Sequence, residues 1–112
     1  MTAITRRRGD TYADQVTVTD TSNPPVPINI TGYTFKMTLD PSKAPVDATN
    51  NLYQLAGIVT DGPNGKVEFA PTVIQANQTP GTYYYDIQLT DGLGRIRTIA
   101  LDKYTYSEDI TK

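Results

Sequence analysis

Carboxylates are the side chains of this chain best suited to chemistry. Asp40, Asp47, Asp61, Asp86, Asp91 and Asp102 could supply the carboxylate pair of sugar hydrolysis, in which one acid stays neutral beside an ionised partner. Nothing in their spacing brings two together or raises the pKa of one, so turn capping is the expected role of most. Asp61 and Asp91 stand in Gly-rich turns that could offer oxygens to calcium. That ion takes about six or more oxygens, and the regular acidic spacing of an EF-hand loop is absent. The chain has no His and no Cys. Zinc sites of the usual kinds, His-based triads and thiolate nucleophiles therefore have no residues to run on, and disulfides are impossible. No cofactor and no metal are expected.

Basic residues raise a second possibility. Arg6-Arg7-Arg8, extended by Arg95 and Arg97, could contact phosphates. Ten basic side chains against twelve acidic ones leave a formal net charge of -2, which opposes a broad positive field. A solvated face or a protein contact is the preferred reading, and no nucleic-acid partner is expected. Arg8-Gly9-Asp10 matches an integrin-binding tripeptide, but a local turn through Gly9 explains it without a secretory route. Asn29-Ile30-Thr31 and Asn77-Gln78-Thr79 match glycosylation acceptors and read as coincidence on the same ground. The opening stretch from Met1 to Arg8 carries charge with no apolar segment behind it, which fits neither a signal peptide nor a twin-arginine signal. No apolar run approaches the ~18 residues of a membrane span. The expectation is synthesis and assembly in the cytoplasm, away from membranes.

The elements that must position these groups are short and alternate. Gln15 to Thr19 has the two-residue period of a half-buried strand. Tyr33, Phe35, Met37 and Leu39 line one face of the next, and Tyr83, Tyr85, Ile87 and Leu89 one face of the strongest, Thr82 to Thr90. A weaker strand is predicted around Tyr53 to Thr60, with a bulge at Gly57, an alternating one over Lys66 to Ala70, and an antiparallel return strand from Arg95 to Leu101. Asp61-Gly62-Pro63-Asn64-Gly65 and Asp91-Gly92-Leu93-Gly94 are turn signals. Asp20 to Pro27 holds three prolines in four positions and reads as an extended connector or sheet edge; Asp40 to Asn51 reads as a long loop. Pro71 to Gln78 suits one helical turn with Thr72 as cap. Seven or so short strands imply a sandwich or barrel in one domain, 1–112, with an N-terminal arm over about 1–10 and a tail over about 104–112. Eight Tyr against two Phe suit half-wet strands and contact surfaces.

Thr79-Pro80-Gly81-Thr82-Tyr83-Tyr84-Tyr85 resembles the corner between the fifth and sixth strands of immunoglobulin-type sandwiches. There a Gly two positions before a Tyr lets the chain turn, and the Tyr hydroxyl bonds back to the backbone. Tyr85 stands where antibody domains carry a Cys, so the likeness implies immunoglobulin-like topology without the disulfide. The order Arg8-Gly9-Asp10-Thr11, Ile28-Asn29-Ile30-Thr31-Gly32, Asp61-Gly62-Pro63-Asn64-Gly65-Lys66-Val67 and Pro80-Gly81-Thr82-Tyr83 resembles the N-terminal domain of phage baseplate upper proteins and related small tail modules. Nearly the whole chain is covered, by motifs that are individually generic. The resemblance implies a non-enzymatic virion component in tail, baseplate or head–tail connector. It would be made in the host cytoplasm and assemble with copies of itself or other virion proteins, with a homo-oligomer expected in the particle. Ile4, Arg6, Arg7, Arg8, Asp10, Pro24, Pro25 and Tyr84 are the expected contact residues. The competing reading is a carbohydrate-binding or adhesin module using the face that carries Tyr84, Asp86 and Gln88. An ordinary wet sheet face explains the same residues.

Overall fold

The structure, a computed structural model, describes residues 3–20, 22–43 and 51–108. Strands β1 (Ile4–Arg7), β2 (Asp14–Thr17), β3 (Thr34–Asp40), β4 (Tyr53–Ala56), β5 (Ile58–Asp61), β6 (Lys66–Phe69), β7 (Gly81–Thr90) and β8 (Ile96–Ser107) are joined by one short helix, α1 (Val73–Ala76). They form a five-stranded sheet in the order β1-β8-β7-β3-β4 and a three-stranded sheet in the order β2-β6-β5. All pairings are antiparallel except β1 with β8, which is parallel. The protein is an all-β, mostly antiparallel sandwich of immunoglobulin-like type, with the second, fifth and sixth strands in one layer and the seventh, eighth and third in the other.

Alternation fills the space between the layers. Phe35, Met37 and Leu39 of β3 and Tyr85, Ile87 and Leu89 of β7 turn inward, meeting Val16 of β2 and Val67 and Phe69 of β6. Each fully buried aliphatic side chain contributes about 1.5–3 kcal/mol by leaving water. The single strand expected over Tyr53 to Thr60 is two strands in different sheets. The chain changes layer at Gly57, and the close crossing calls for glycine, because a Cβ there would stand 2.7 Å from Phe35 Cβ and 2.8 Å from Val67 Cγ2. The predicted helical turn is α1, closed by a reciprocal capping box between Thr72 and Gln75.

Both chain ends differ from expectation. The arm is not free: Ile4–Arg7 adds to the sheet beside Tyr104–Ser107. The tail begins later than residue 104, since β8 continues to Ser107 with Tyr104 and Tyr106 buried. Asp47, most of the Asp40 to Asn51 loop and the tail residues 109–112 lie outside the described residues.

A candidate interaction edge and outer face

Arg6 lies on the inward side of β1, and that decides its role. Its side chain is 0% exposed. Nε donates to Tyr104 Oη at 2.7 Å and Nη1 to the Asp10 carbonyl at 3.0 Å, while Nη2 lies 2.8 Å from Asp14 Oδ2. Tyr104 Oη donates in turn to Asp14 Oδ2 at 2.6 Å, and the Tyr12 ring covers the guanidinium at 4.2 Å. Burial works against the Arg6 charge; the bonds with Tyr104 and Asp14 and their attraction outweigh it and hold its pKa above the ordinary value. Expected as a partner contact, Arg6 instead fastens β1 to β2 and β8 from inside.

Tyrosines build the layer around it. Tyr53, Tyr85, Tyr104 and Tyr106 are buried, against the expectation of wet contact surfaces. The Tyr53 and Tyr106 hydroxyls share a hydrogen bond of 2.5 Å, and Tyr85 and Tyr104 meet edge to face at 5.9 Å. Burial pushes the phenol pKa of Tyr53 and Tyr104 well up, and that of Tyr85 to about 12. Tyr83 makes the corner bond expected of it, donating to the Thr79 carbonyl at 2.5 Å.

The other expected contact residues are scattered. Ile4 packs half-buried against the core. Arg7 Nη1 donates to the Glu108 carbonyl and Arg8 Nε to Asn77 Oδ1. Arg8-Gly9-Asp10 is the predicted turn, with Gly9 at φ 89° and the Asp10 amide on the Arg7 carbonyl. Pro24 and Pro25 are exposed at the tip of a loop that returns on itself, Thr19 bridging to Pro27. Asp20 Oδ1 accepts the Ser22 and Val26 amides there, and those bonds depress its pKa, Val26 foremost.

Aspartates close turns, as expected. Asp91 Oδ1 accepts the Leu93 and Arg95 amides, which with the Arg95 ion pair lower its pKa. Asp40 is buried, accepting from the Ser42 amide and from Asn51 Nδ2. Among the described residues no three of His, Cys, Asp or Glu are grouped to hold a metal.

Two surfaces are left for recognition. One is the outer face of the large sheet, where pairing aligns Gln54, Thr38, Asp86 and Leu101 in one row. The flanking rows bring Lys36 beside Gln88 and Asp40 beside Tyr84. A groove of about 280 Å³ runs over this face, and desolvation there raises the Asp86 pKa. The second surface was not foreseen from the sequence. β1 covers β8 only from Tyr104 to Ser107, so among the described residues no strand lies beside the outer edge of Ile96–Lys103. That edge opens on a cleft of about 510 Å³ whose far wall is Val16, Val18 and Ile28, continued past Arg97 toward Tyr33 and Leu89. Ile96 is 66% exposed and Leu101 59%.

No protein-family model matches the chain, and no curated protein matches it. Among solved structures, CopC from Methylosinus trichosporium OB3b is similar over 97% of this chain and 87% of that one, with a TM-score of 0.52 and 7% sequence identity. A likeness at that identity concerns the fold alone. The protein is an all-β domain without cysteine-based or, among the described residues, clustered metal-binding chemistry, as suits a protein-interaction module.

Proposed function

We propose that this chain is a non-enzymatic structural component of a phage particle, in tail, baseplate or head–tail connector, working by assembly with copies of itself or neighbouring virion proteins. The open edge of β8 carries this reading. A strand edge presents unpaired N–H and C=O groups, and an added strand satisfies them while its side chains fill the cleft beside it. The ordered motifs from Arg8 to Tyr83 supply the virion setting. Burial of Arg6 takes one of the three consecutive arginines out of any phosphate-facing patch. Assembly then takes place in the host cytoplasm and the product is found in the particle. Mass spectrometry of density-purified phage particles tests this: the chain co-sediments with them in fixed stoichiometry. Recovery only from soluble host protein, with none in particles, contradicts it.

The outer face favours a second reading, a sugar platform, through Tyr84 with Gln54, Asp86 and Gln88 around it. Sugar sites rely on stacked rings as well as planar polar groups, and Tyr84 is the one aromatic residue in the outward rows. A glycan array separates the two: binding lost in Tyr84→Ala supports the platform, and silence across the array supports assembly.

A further inference from the structure

Edges that must stay unpaired are guarded by bulges and by inward-pointing charges. The open edge of β8 has both, in an arrangement that matches itself. Ile87 pairs with Ala100 and Gln88 with Thr98, so Ile99 is an extra residue in β8. The bulge shifts the phase of the strand. Arg97, opposite inward Leu89, and Asp102, opposite inward Tyr85, therefore share the inner face although an odd number of positions separates them. Ile96, Thr98, Leu101 and Lys103 share the outer one. Arg97 has no ion pair among the described residues.

From this phase we infer that two copies of the chain pair antiparallel through their β8 edges, about a two-fold axis, with Arg97 of each opposite Asp102 of the other. The inference rests on the assembly reading and names the first partner. Residues opposite one another across an antiparallel pair must point to the same face. With Thr98 opposite Leu101 of the second copy, Arg97 falls opposite Asp102 and Ile96 opposite Lys103, and every pair shares a face. Two-fold symmetry makes each of these contacts twice. A slip of one residue puts inward groups opposite outward ones. A slip of two in one direction drives Arg97 onto Tyr104, whose edge β1 already holds, and in the other sets Asp102 opposite Arg95, which stands before the strand and is already paired with Asp91, and Arg97 opposite Ala100. Charges of a single sign would only repel a second copy; this opposite pair favours the one register in which Arg97 and Asp102 both meet an opposite charge.

Light scattering and sedimentation of the purified chain across a concentration series test the inference. The wild type dimerises; Arg97→Asp and Asp102→Arg each weaken the dimer about tenfold or more, because each reversal spoils two pairs. The double exchange restores it. Circular dichroism checks that each variant is folded, and Leu101→Lys, at an exposed outward position, supplies a further disruption that leaves the fold alone. A wild type monomeric at every concentration, a single reversal without effect, or a double exchange that fails to rescue would overturn the pairing. So would association that first appears when Arg97 and Asp102 are both changed to Thr, which would make the pair a guard. A monomer that is nonetheless present in particles overturns the pairing and leaves the assembly reading standing; a monomer absent from particles removes both.

Discussion

Arg6 and Tyr83 carry opposite lessons about single residues. Removing the Arg6 guanidinium leaves the Asp14 carboxylate, still bonded to the Tyr104 hydroxyl, without its counter-charge at the edge of the interior. Arg6→Ala should cost about 3–5 kcal/mol in urea unfolding, whereas replacing the whole network, Arg6→Met with Asp14→Leu and Tyr104→Phe, should recover most of it. A loss under about 1 kcal/mol in the single variant would mean that water reaches the pair. Tyr83→Phe deletes only the bond to the Thr79 carbonyl and should cost about 0.5–1.5 kcal/mol, read the same way. Tyr83 was legible because a Gly two residues before a Tyr is a local signal. Arg6 was not, because a run of three arginines looks like a solvated surface. The side chains that enclose Arg6 come from Tyr12, Asp14 and Tyr104, and only the parallel pairing of β1 brings the last of these near.

At the scale of elements, alternation was sufficient wherever a strand ran long enough to show it. The inward faces of β3 and β7 and the capped turn of α1 follow from residue types alone. Gly57 shows the limit. A glycine within an alternating run signals a bulge or a close approach, and which of the two depends on where the other sheet lies. Here the chain passes between layers with Phe35, Val67 and Phe69 against the glycine. Gly57→Ala should therefore destabilise by about 1–3 kcal/mol through overpacking, although its backbone conformation suits any residue. A thermal melt checks this, and a neutral or stabilising result would remove the close crossing. The edge of β8 was equally hidden. The residues from Ile96 to Lys103 are an ordinary return strand in sequence, and their exposure depends on β1 stopping short.

Taken whole, the molecule is a sandwich whose interior holds four buried phenols, Tyr53, Tyr85, Tyr104 and Tyr106, and that gives it a distinctive response to pH. The pKa values of Tyr53, Tyr85, Tyr104 and Tyr106 are all raised by burial in the fold. A phenol raised on folding adds stability below its unfolded value of about 10, and the gain is lost as pH climbs through the folded value. Stability should accordingly fall steeply above about pH 10, with tyrosinate absorbance from these four appearing together with loss of the fold. At the acid end, Asp20 and Asp91 are depressed and stabilise above their unfolded value, an effect lost as pH falls. Asp86, raised by desolvation, works in the other direction and offsets part of that loss, so Asp86→Asn should leave the domain no less stable at neutral pH and steepen its acid limb.

Amide hydrogen exchange measured against protein concentration reports on the open edge most directly. In dilute solution the outward amides of Ile96–Lys103 should exchange far faster than those of β7, which is paired on both sides. Raising the concentration should protect that edge selectively. Protection equal to that of β7 at every dilution, or none at any concentration, would contradict an edge that is free in the single chain and filled on assembly.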